Sequence, residues 1–238
     1  MRIVSWNCRQ GFDAKAEALL ALNPAIAVVP ESLSSPAIAQ RSLLAFPVPH
    51  LWTGNIAAKG LGLFAPGADS FEVIDPENDS SGALGIAGRA FHGDRETTIL
   101  GVWTIPGSKG GNPYLEAAHG IVDRYAKVLA SGSAICAGDF NVSGRTDLRG
   151  IRKFSEMMKS RFSLISAYHA FHGLKIGDEP TGTLWWRGKE NDSFHCDFVF
   201  VPESWRIQNL EVGSYEMWGA ENSIARSDHA PVIVDLDR

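Results

Sequence analysis

Several polar side chains follow directly after apolar stretches of the sequence. If those stretches are strands, the fold could bring the polar side chains together at one edge of the structure. Glu31 comes after the apolar run of residues 25 to 30. A carboxylate beside a dry interior is costly without a partner, so we expect a cation or a basic group next to Glu31. Asn7 stands at the end of an alternating stretch over residues 2 to 7. Taken alone, Asn7 could equally be a simple strand end.

An acid and an amide stand two residues apart in the segment Gly138-Asp139-Phe140-Asn141. A carboxylate accepts hydrogen bonds, whereas an amide can also donate them, so the pair could hold an attacking water and a phosphate oxygen. As an isolated tetrapeptide, the segment is also compatible with a tight turn.

A third group of chemically capable residues lies in the C-terminal part of the chain. Asp197 stands inside an aromatic stretch, and strand alternation predicts that it shares one face with His195. A buried carboxylate needs a partner. Ser227-Asp228-His229 supplies a histidine whose titration near neutrality suits proton transfer and phosphate binding. His229 alone could be a structural histidine, but the adjacent Asp228 favours the functional interpretation.

Together these segments resemble the endonuclease/exonuclease/phosphatase superfamily, which includes abasic-site endonucleases, pancreatic-type deoxyribonucleases, neutral sphingomyelinases and inositol-polyphosphate phosphatases. The segments occur in the family's order across nearly the whole chain. They are Ser5-Trp6-Asn7, Glu31, Gly138-Asp139-Phe140-Asn141, Asp197 and Ser227-Asp228-His229. The combination is far more specific than any one segment.

The resemblance implies a four-layer α/β (α+β) sandwich, in which two mixed β-sheets pack face to face with helices on both outer sides. It also implies a divalent-metal-dependent phosphoester hydrolase that uses Mg²⁺ or Mn²⁺. Carried over by position, Glu31 would be the principal metal ligand, and Asn7 and Asp228 would hold the metal directly or through water. A hard cation does prefer such oxygen ligands and can polarise a phosphoryl group.

Catalytic roles carry over from the resemblance in the same way. Asp139 would position or deprotonate the attacking water, and Asn141 would bind the phosphate or a second metal. His229 would stabilise the transition state or transfer a proton, with Asp197 fixing its tautomer. Which of Asp139 and His229 is the general base stays open.

Other residues are candidates for substrate binding. Relatives commonly carry His or Tyr where this chain has Trp103 and Thr104, and a tryptophan N–H can donate to phosphate but cannot titrate. Trp103 could equally be a core residue. In Trp185-Trp186-Arg187, one ring could stack a base beside a guanidinium while the other is buried. Arg145 and Arg149 begin a basic segment that either flanks the site or forms a solvated helix face.

Strands interleaved with a few helices are predicted to position these residues in a single domain of residues 1–238. Helices are predicted at residues 13–22, from Ser34 or Ser35, at 112–130 (the longest) and at 147–160. Strands are predicted at residues 2–7, 25–29, several within 50–104, and at 134–137, 162–168, 183–186, 194–201, 206–212 and 231–236. The strands within 50–104 are expected to form one sheet. Because the strands are too many for one open sheet, two sheets packed face to face are favoured.

Composition narrows the class of protein. The chain has 238 residues, of which 45% are hydrophobic, as in an ordinary globular protein with a sizeable core. It has no long apolar run and no secretory pattern, so we expect no membrane insertion and a cytoplasmic location. Its three cysteines form no metal-binding pattern, which disfavours disulfides and structural zinc. No obligate protein partner is evident.

Three functions remain compatible with the sequence. A nuclease or phosphodiesterase acting on DNA or RNA is favoured by the basic segment and the Trp-Trp-Arg triplet. A phosphatase or phosphodiesterase for a small or lipid-derived phosphoester is favoured by the short length and by the net charge of -5. A catalytically silent binding module is disfavoured, because an unused cluster of carboxylates would be electrostatically costly.

Overall fold

The computed structural model describes residues 1–41, 48–74, 84–106, 112–219, 221 and 225–238. Its strands are β1 (Arg2–Ser5), β2 (Ile26–Ser32), β3 (His50–Ile56), β4 (Lys59–Phe64), β5 (Ser70–Ile74), β6 (Leu84–His92), β7 (Arg95–Trp103), β8 (Ala134–Asp139), β9 (Leu164–Ser166), β10 (Leu184–Trp185), β11 (Ser193–Phe194), β12 (Asp197–Pro202), β13 (Arg206–Val212) and β14 (Val232–Asp237). Its α-helices are α1 (Ala16–Leu20), α2 (Ser35–Arg41), α3 (Pro113–Arg124), α4 (Ala126–Leu129), α5 (Gly144–Phe162), α6 (Ala167–His172) and α7 (Tyr215–Trp218).

The long strands form two six-stranded sheets. The first has the order β13-β14-β1-β2-β4-β3, and the second has the order β5-β6-β7-β8-β12-β9. Both sheets are mixed, because β1 pairs with β2 in parallel and β7 pairs with β8 in parallel, while the other pairs are antiparallel. The short strands β10 and β11 pair separately.

Three buried clusters separate four layers. The cluster between the sheets takes Ile3, Val28 and Leu63 from the first sheet and Ile99, Ile135 and Val199 from the second. Helices α3 to α5 bury Ile121 and Phe154 against the outer face of the second sheet, and α1 and α2 bury Leu19 and Ile38 against the outer face of the first. The predicted fold class, a four-layer sandwich, is therefore confirmed.

The expectation that the strands within residues 50–104 form one sheet is wrong. Strands β3 and β4 extend the first sheet beyond β2, whereas β5, β6 and β7 form one side of the second sheet. The chain crosses between the sheets after β4, where Gly67 turns with a φ of 77°. Apolar alternation marks a strand but does not specify which neighbour will pair with it.

Several element boundaries also differ from the prediction. Residues 13–22 form a short 3-10 turn followed by α1, and Asp13 does not cap it. Asn112 does cap α3, with its Oδ1 accepting from Tyr114 N and Leu115 N at 3.2 and 3.3 Å. That helix ends at Arg124, so α5 is the longest helix among the described residues. The strand predicted at 162–168 stops at Ser166, where α6 begins.

No helix in the described part of the chain combines the length and apolarity needed to cross a membrane.

Candidate active site

Asp139 is the last residue of β8, and Gly138 allows the strand to bring it there. Gly138 has a φ of 147°, and a Cβ at this position would lie 1.8 Å from the carbonyl oxygen of Val102 on β7. Only glycine permits this approach of the two backbones. The Asp139 side chain is 1% exposed, so the sheet delivers a carboxylate to a dry environment.

Asp197 begins β12 and is paired directly with Asp139 on the neighbouring antiparallel strand. Directly paired residues project from the same face of a sheet, so the two carboxylates are neighbours. His229 lies against them, with Nδ1 2.9 Å from Asp197 Oδ2. His229 is 5% exposed and Asp197 is fully buried. The predicted carboxylate–imidazole pair is thus formed by residues that are 32 positions apart.

The charges of this group shift two pKa values. Burial lowers the pKa of His229, but the carboxylates of Asp197 and Asp139 more than offset burial and raise it to about 10. Burial and the neighbouring Asp197 raise the pKa of Asp139 to about 7. The arrangement therefore favours a charged imidazolium, and it makes protonation of Asp139 accessible near neutral pH.

Thr183 bonds to the same carboxylate oxygen of Asp197 as His229 does. Its hydroxyl donates to Asp197 Oδ2 at 2.7 Å and accepts from the backbone N–H groups of Cys196 and Asp197, both at 3.0 Å. These bonds bend the chain, so residues 195 and 196 interrupt the predicted continuous strand of residues 194–201. Strand alternation therefore does not apply across residues 195 and 196, and the ring of His195 packs 5.1 Å from the ring of Phe198.

Glu31 lies in β2 at a bulge, not beyond the end of the strand as expected. The pairing of β2 with β4 shifts between Pro30 and Ser32, and Glu31 takes a φ of 62°. A non-glycine residue in the left-handed region costs about 1–3 kcal/mol and persists only where its surroundings enforce it. The bulge turns the Glu31 carboxylate toward Asn7 and Lys59.

Asn7 links Glu31 to the buried carboxylate of Asp139. Its Nδ2 donates to Asp139 Oδ2 at 3.0 Å and lies 3.4 Å from Glu31 Oε1. Its Oδ1 accepts from the backbone N–H of Arg9 at 3.0 Å. Asn7 thus connects the two sheets at the end of the sandwich, and its amide nitrogen faces the acids.

Buried hydrogen bonds join the N-terminal loop to the loop that carries Asp228 and His229. Ser227 Oγ donates to Asn7 O at 2.7 Å, and Trp6 Nε1 donates to His229 O at 3.0 Å. Lys15 Nζ donates to the carbonyl oxygens of Cys8 and Arg226. These bonds hold residues from the two ends of the chain in one fixed arrangement.

Asn141 and Thr104 form a braced turn after β8. Asn141 Nδ2 donates to Asp139 Oδ2 at 2.9 Å and to Thr104 O at 3.1 Å. Asn141 has a φ of 51°, a conformation that asparagine tolerates better than most residues. The Thr104 hydroxyl donates to Phe140 O, so the hydroxyl proton is already engaged in a hydrogen bond within the protein. The proposed contact of Thr104 with substrate stays a prediction.

Asp228 is half-buried beside His229 and has a basic neighbour. Arg9 Nε lies 3.7 Å from Asp228 Oδ2, and the arginine side chain is 53% exposed. The backbone oxygen of Asp228 accepts from Trp185 N at 2.7 Å, which fixes the loop against β10. Both predicted metal-binding carboxylates therefore have a cationic partner, Lys59 for Glu31 and Arg9 for Asp228.

Among the described residues, the one compact group of potential metal ligands is not the predicted set. Ligand atoms of Asp139, Cys196, Asp197 and His229 lie within 4.8 Å of one another. However, His229 Nδ1 and Asp197 Oδ2 already bond to each other, and burial keeps the pKa of the Cys196 thiol well above its usual value. Glu31 and Asp228 instead offer accessible carboxylate oxygens, which a hard cation prefers. The oxygen donors near Asn7 thus fit a divalent cation better.

The Trp-Trp-Arg triplet is divided as alternation predicted. Trp185 is 5% exposed and packs against Tyr215, whereas Trp186 is 44% exposed. The Arg187 guanidinium lies 6.0 Å from the Trp186 ring. The backbone bond from Trp185 to Asp228 places the exposed ring one residue beyond a contact with the site. Trp103 is 5% exposed and belongs to the core between the sheets.

The basic segment lies on α5, and two of its arginines form contacts with other parts of the protein. Arg145 pairs with Asp192 and lies 5.4 Å from the ring of Phe194, and Arg152 donates to Ile176 O at 2.8 Å. Arg149 is exposed. Arg145 is exposed as well, but its guanidinium pairs with Asp192, whereas no ion pair is seen for Arg149 among the described residues.

Sequence reasoning missed Lys59, Arg9 and Thr183, which all contact the central residues. Lys59 begins β4 directly after the hairpin turn, where a lysine is ordinary, and Thr183 acts through a hydroxyl whose partner is 14 residues away. Nothing in the local sequence distinguishes these residues. Ser227 was part of a recognised motif, but its bond to Asn7 was not foreseen.

The sequence matches no protein-family profile and no curated protein. Its structure is similar to solved structures over the full chain. One is the 3' phosphatase NExo from Neisseria bound to a product DNA hairpin, with a TM-score of 0.73, 16% identity and 100% of both chains covered. Another is an AP endonuclease from Archaeoglobus fulgidus, with a TM-score of 0.70, 14% identity and 100% of both chains covered.

A third similar structure is D. rerio TDP2 complexed with a single-strand DNA product. It has a TM-score of 0.68 and 13% identity, and the match covers 100% of this chain and 99% of that chain. At such identities the similarity concerns the fold. The chain therefore shares the fold of these solved structures.

Proposed function

We propose that this protein is a divalent-metal-dependent phosphoester hydrolase that cleaves nucleic acid. The observation that carries the proposal is the buried group of Asp139, Asp197 and His229, joined through Asn7 to Glu31. Three strand ends and one loop converge on this group at one end of the sandwich. Unpaired buried carboxylates are costly, so a structural role alone is a weak explanation for so many of them.

Glu31 and Asp228 would hold the cation, with the Asn7 amide beside Glu31. Mg²⁺ or Mn²⁺ suits this set because the available donors are oxygens. When bound, such a cation polarises the phosphoryl group and neutralises charge on the leaving oxygen. The pairing of Glu31 with Lys59 and of Asp228 with Arg9 shows that both carboxylates attract positive charge.

Asp139 is the residue that we assign to the attacking water. Its Oδ2 accepts from Asn7 and Asn141, and its Oδ1 accepts from the backbone N–H of Asn141 at 2.9 Å. These bonds fix the carboxylate plane, as a base that must align a water requires. Asn141 holds the carboxylate and, being half-buried, is placed to meet a phosphate oxygen.

His229 is assigned the complementary role of a charged donor. Nδ1 is committed to Asp197, so Nε2 is the nitrogen through which the ring can reach a substrate. Two neighbouring carboxylates favour the imidazolium, which donates a hydrogen bond to a phosphorane-like oxygen. Asp197 orients the ring, as a carboxylate does for histidine in a catalytic triad.

Nucleic acid is favoured as the substrate by the surface beside the site. Trp186 presents an exposed ring one residue after the backbone contact with Asp228, and Arg187 and Arg149 add exposed positive charge. The solved neighbours bound to a product DNA hairpin and to a single-strand DNA product have the same fold. A stacked base and a held phosphate match this combination of groups.

The test is hydrolysis by the purified protein of bis-p-nitrophenyl phosphate, DNA, RNA, phosphoinositides and sphingomyelin. We expect cleavage of a nucleic acid with Mg²⁺ or Mn²⁺, its loss in excess chelator and its recovery on adding metal. The Asp139→Asn variant, purified identically, controls for contaminating nucleases. Full activity in chelator would refute the metal requirement. Activity confined to small or lipid phosphoesters would favour the second function considered for the sequence.

A further inference from the structure

Lys59 lies at the turn between β3 and β4 and reaches the predicted metal ligand. Its Nζ is 3.3 Å from Glu31 Oε2, and the two side chains are 36% and 16% exposed, respectively. Glu31 Oε1 lies on the other side of the carboxylate, near Asn7 Nδ2. The ammonium group therefore occupies one of the two oxygens that a cation at Glu31 would use.

The backbone of the hairpin is fastened to the segment that follows Glu31. Ser34 N donates to Ala57 O at 2.8 Å, and Trp52 Nε1 donates to Ser32 O at 3.3 Å. Gly60 packs so closely that a Cβ there would lie 2.2 Å from the Trp52 ring. The position of Lys59 is thus built into the fold, although its side chain can move.

The ring of Trp103 also lies close to the Lys59 ammonium group. The Lys59 Nζ lies 5.2 Å from the centroid of the Trp103 ring, within the range of a cation–π contact. Trp103 is paired with Asp139 on the adjacent parallel strand, so both project from one face. Lys59 therefore lies between Glu31 of the first sheet and the strand end that carries Asp139 in the second.

Glu31 cannot serve Lys59 and a divalent cation equally, because both compete for one carboxylate. A lysine released from Glu31 would remain tethered over the site by the hairpin. A flexible ammonium is a compact positive charge that binds phosphate well. We propose that Lys59 is a phosphate-binding residue of this site, held by Glu31 until a divalent cation takes that carboxylate and then paired with the substrate phosphate. This inference rests on the proposed function.

The experiment compares Lys59→Gln with the wild-type protein in two measurements. The first is Mn²⁺ affinity by titration calorimetry without substrate. The second is KM and kcat for bis-p-nitrophenyl phosphate at saturating Mn²⁺. Lys59→Arg keeps the charge, and Lys159→Gln is a matched control that removes a lysine from an ion pair with Glu203, at 2.7 Å on the far part of α5.

We expect Lys59→Gln to bind Mn²⁺ about two- to fivefold more tightly, because a competing cation is gone and a partly exposed ion pair has this strength. The same variant should raise KM about tenfold with a smaller change in kcat, because a phosphate contact is lost. Lys59→Arg should restore most of KM, and Lys159→Gln should match the wild type. Opposite effects on metal and substrate would not follow from a merely structural lysine.

Two outcomes separate the possible failures. If the wild type hydrolyses phosphoesters but Lys59→Gln leaves KM unchanged, or binds Mn²⁺ no more tightly, the role of Lys59 is wrong and the proposed function stands. If the wild type neither binds Mn²⁺ nor hydrolyses any phosphoester, the proposed function fails and the inference on Lys59 falls with it.

Discussion

His229 Nδ1 lies 2.9 Å from Oδ2 of Asp197, and both side chains are buried. Asp197 Oδ2 also accepts from the Thr183 hydroxyl, so this oxygen is held by two hydrogen bonds. The pair is rigid because its members sit on a strand end and on a loop bonded to the N-terminal segment. This geometry makes the two residues one functional unit.

A double-mutant cycle tests that unit. His229→Ala should lower kcat on the order of 100-fold or more, the usual cost of losing a positioned acid or base. Asp197→Asn should cost less, because the ring remains but loses its orientation. The double variant should be little worse than His229→Ala alone, since residues acting as a unit are not additive. Multiplicative losses in kcat would show that the two residues act separately.

Glu31→Gln should weaken metal binding while the fold survives. The substitution removes the carboxylate that pairs with Lys59 but keeps a side chain of similar size at the bulge. Calorimetric titration with Mg²⁺ or Mn²⁺ should show a loss of affinity, and thermal unfolding without metal should change little, because a partly exposed ion pair contributes about 0–1 kcal/mol. Unchanged metal affinity would move the metal site to the group around Asp139 and Asp197.

Charge reversal at Arg149 separates substrate binding from chemistry. Arg149→Glu should lower DNA or RNA turnover and reduce its salt dependence, because an exposed phosphate contact is replaced by repulsion. Cleavage of bis-p-nitrophenyl phosphate should be almost unchanged, since that substrate is too small to reach α5. The comparison is activity on both substrates across salt concentrations. Equal losses on both would mean that Arg149 supports the fold or the site.

Arg152 should behave differently from Arg149. Its Nε donates to Ile176 O, and the side chain is half-buried. Arg152→Glu should therefore lower the melting temperature as well as activity on every substrate. It is unsuitable as a probe of substrate binding, and it serves as the contrasting variant in the Arg149 experiment.

We expect the buried His195 to lower the free energy of unfolding as the pH falls into the mildly acidic range. The ring is buried against Tyr168, His169 and Phe198, with Glu179 and Asp197 nearby, and desolvation together with His169 lowers its pKa from 6.5 to about 4. Between pH 6.5 and 4, the unfolded chain therefore binds a proton at His195 that the folded chain does not bind. Stability falls as the pH drops from 6.5 toward 4, by roughly 3 kcal/mol.

The measurement is the free energy of urea unfolding against pH for the wild type and His195→Phe. Phenylalanine suits the aromatic surroundings of the ring. We expect the variant to lose most of the slope between pH 6.5 and 4. An equal slope in both proteins would assign the acid sensitivity to other groups, such as Glu179. Burial raises the pKa of Glu179, but its hydrogen bonds with His169 and the backbone together outweigh burial and lower that pKa to about 2.

The sequence alone was sufficient to identify most of the residues that meet at the site. Glu31, Asp139, Asp197 and His229 all follow or enter apolar stretches, and the ends of such stretches converge when strands pack side by side. Burial without a partner is costly for each of these side chains. Their residue types therefore indicated that they need partners before their positions in the fold were known. The four-layer fold was likewise implied by the resemblance of the motifs and was confirmed.

Tertiary structure decided what local patterns cannot encode. Strand alternation does not specify a neighbour, so the division of β3 to β7 between two sheets required the packed molecule. The interruption of the strand at His195 follows from a hydrogen bond to the distant Thr183. Lys59 reaches Glu31 only because its hairpin joins β2. Sequence specifies chemistry and periodicity, which are local, whereas contacts between distant residues depend on how the sheets pair and close around the core.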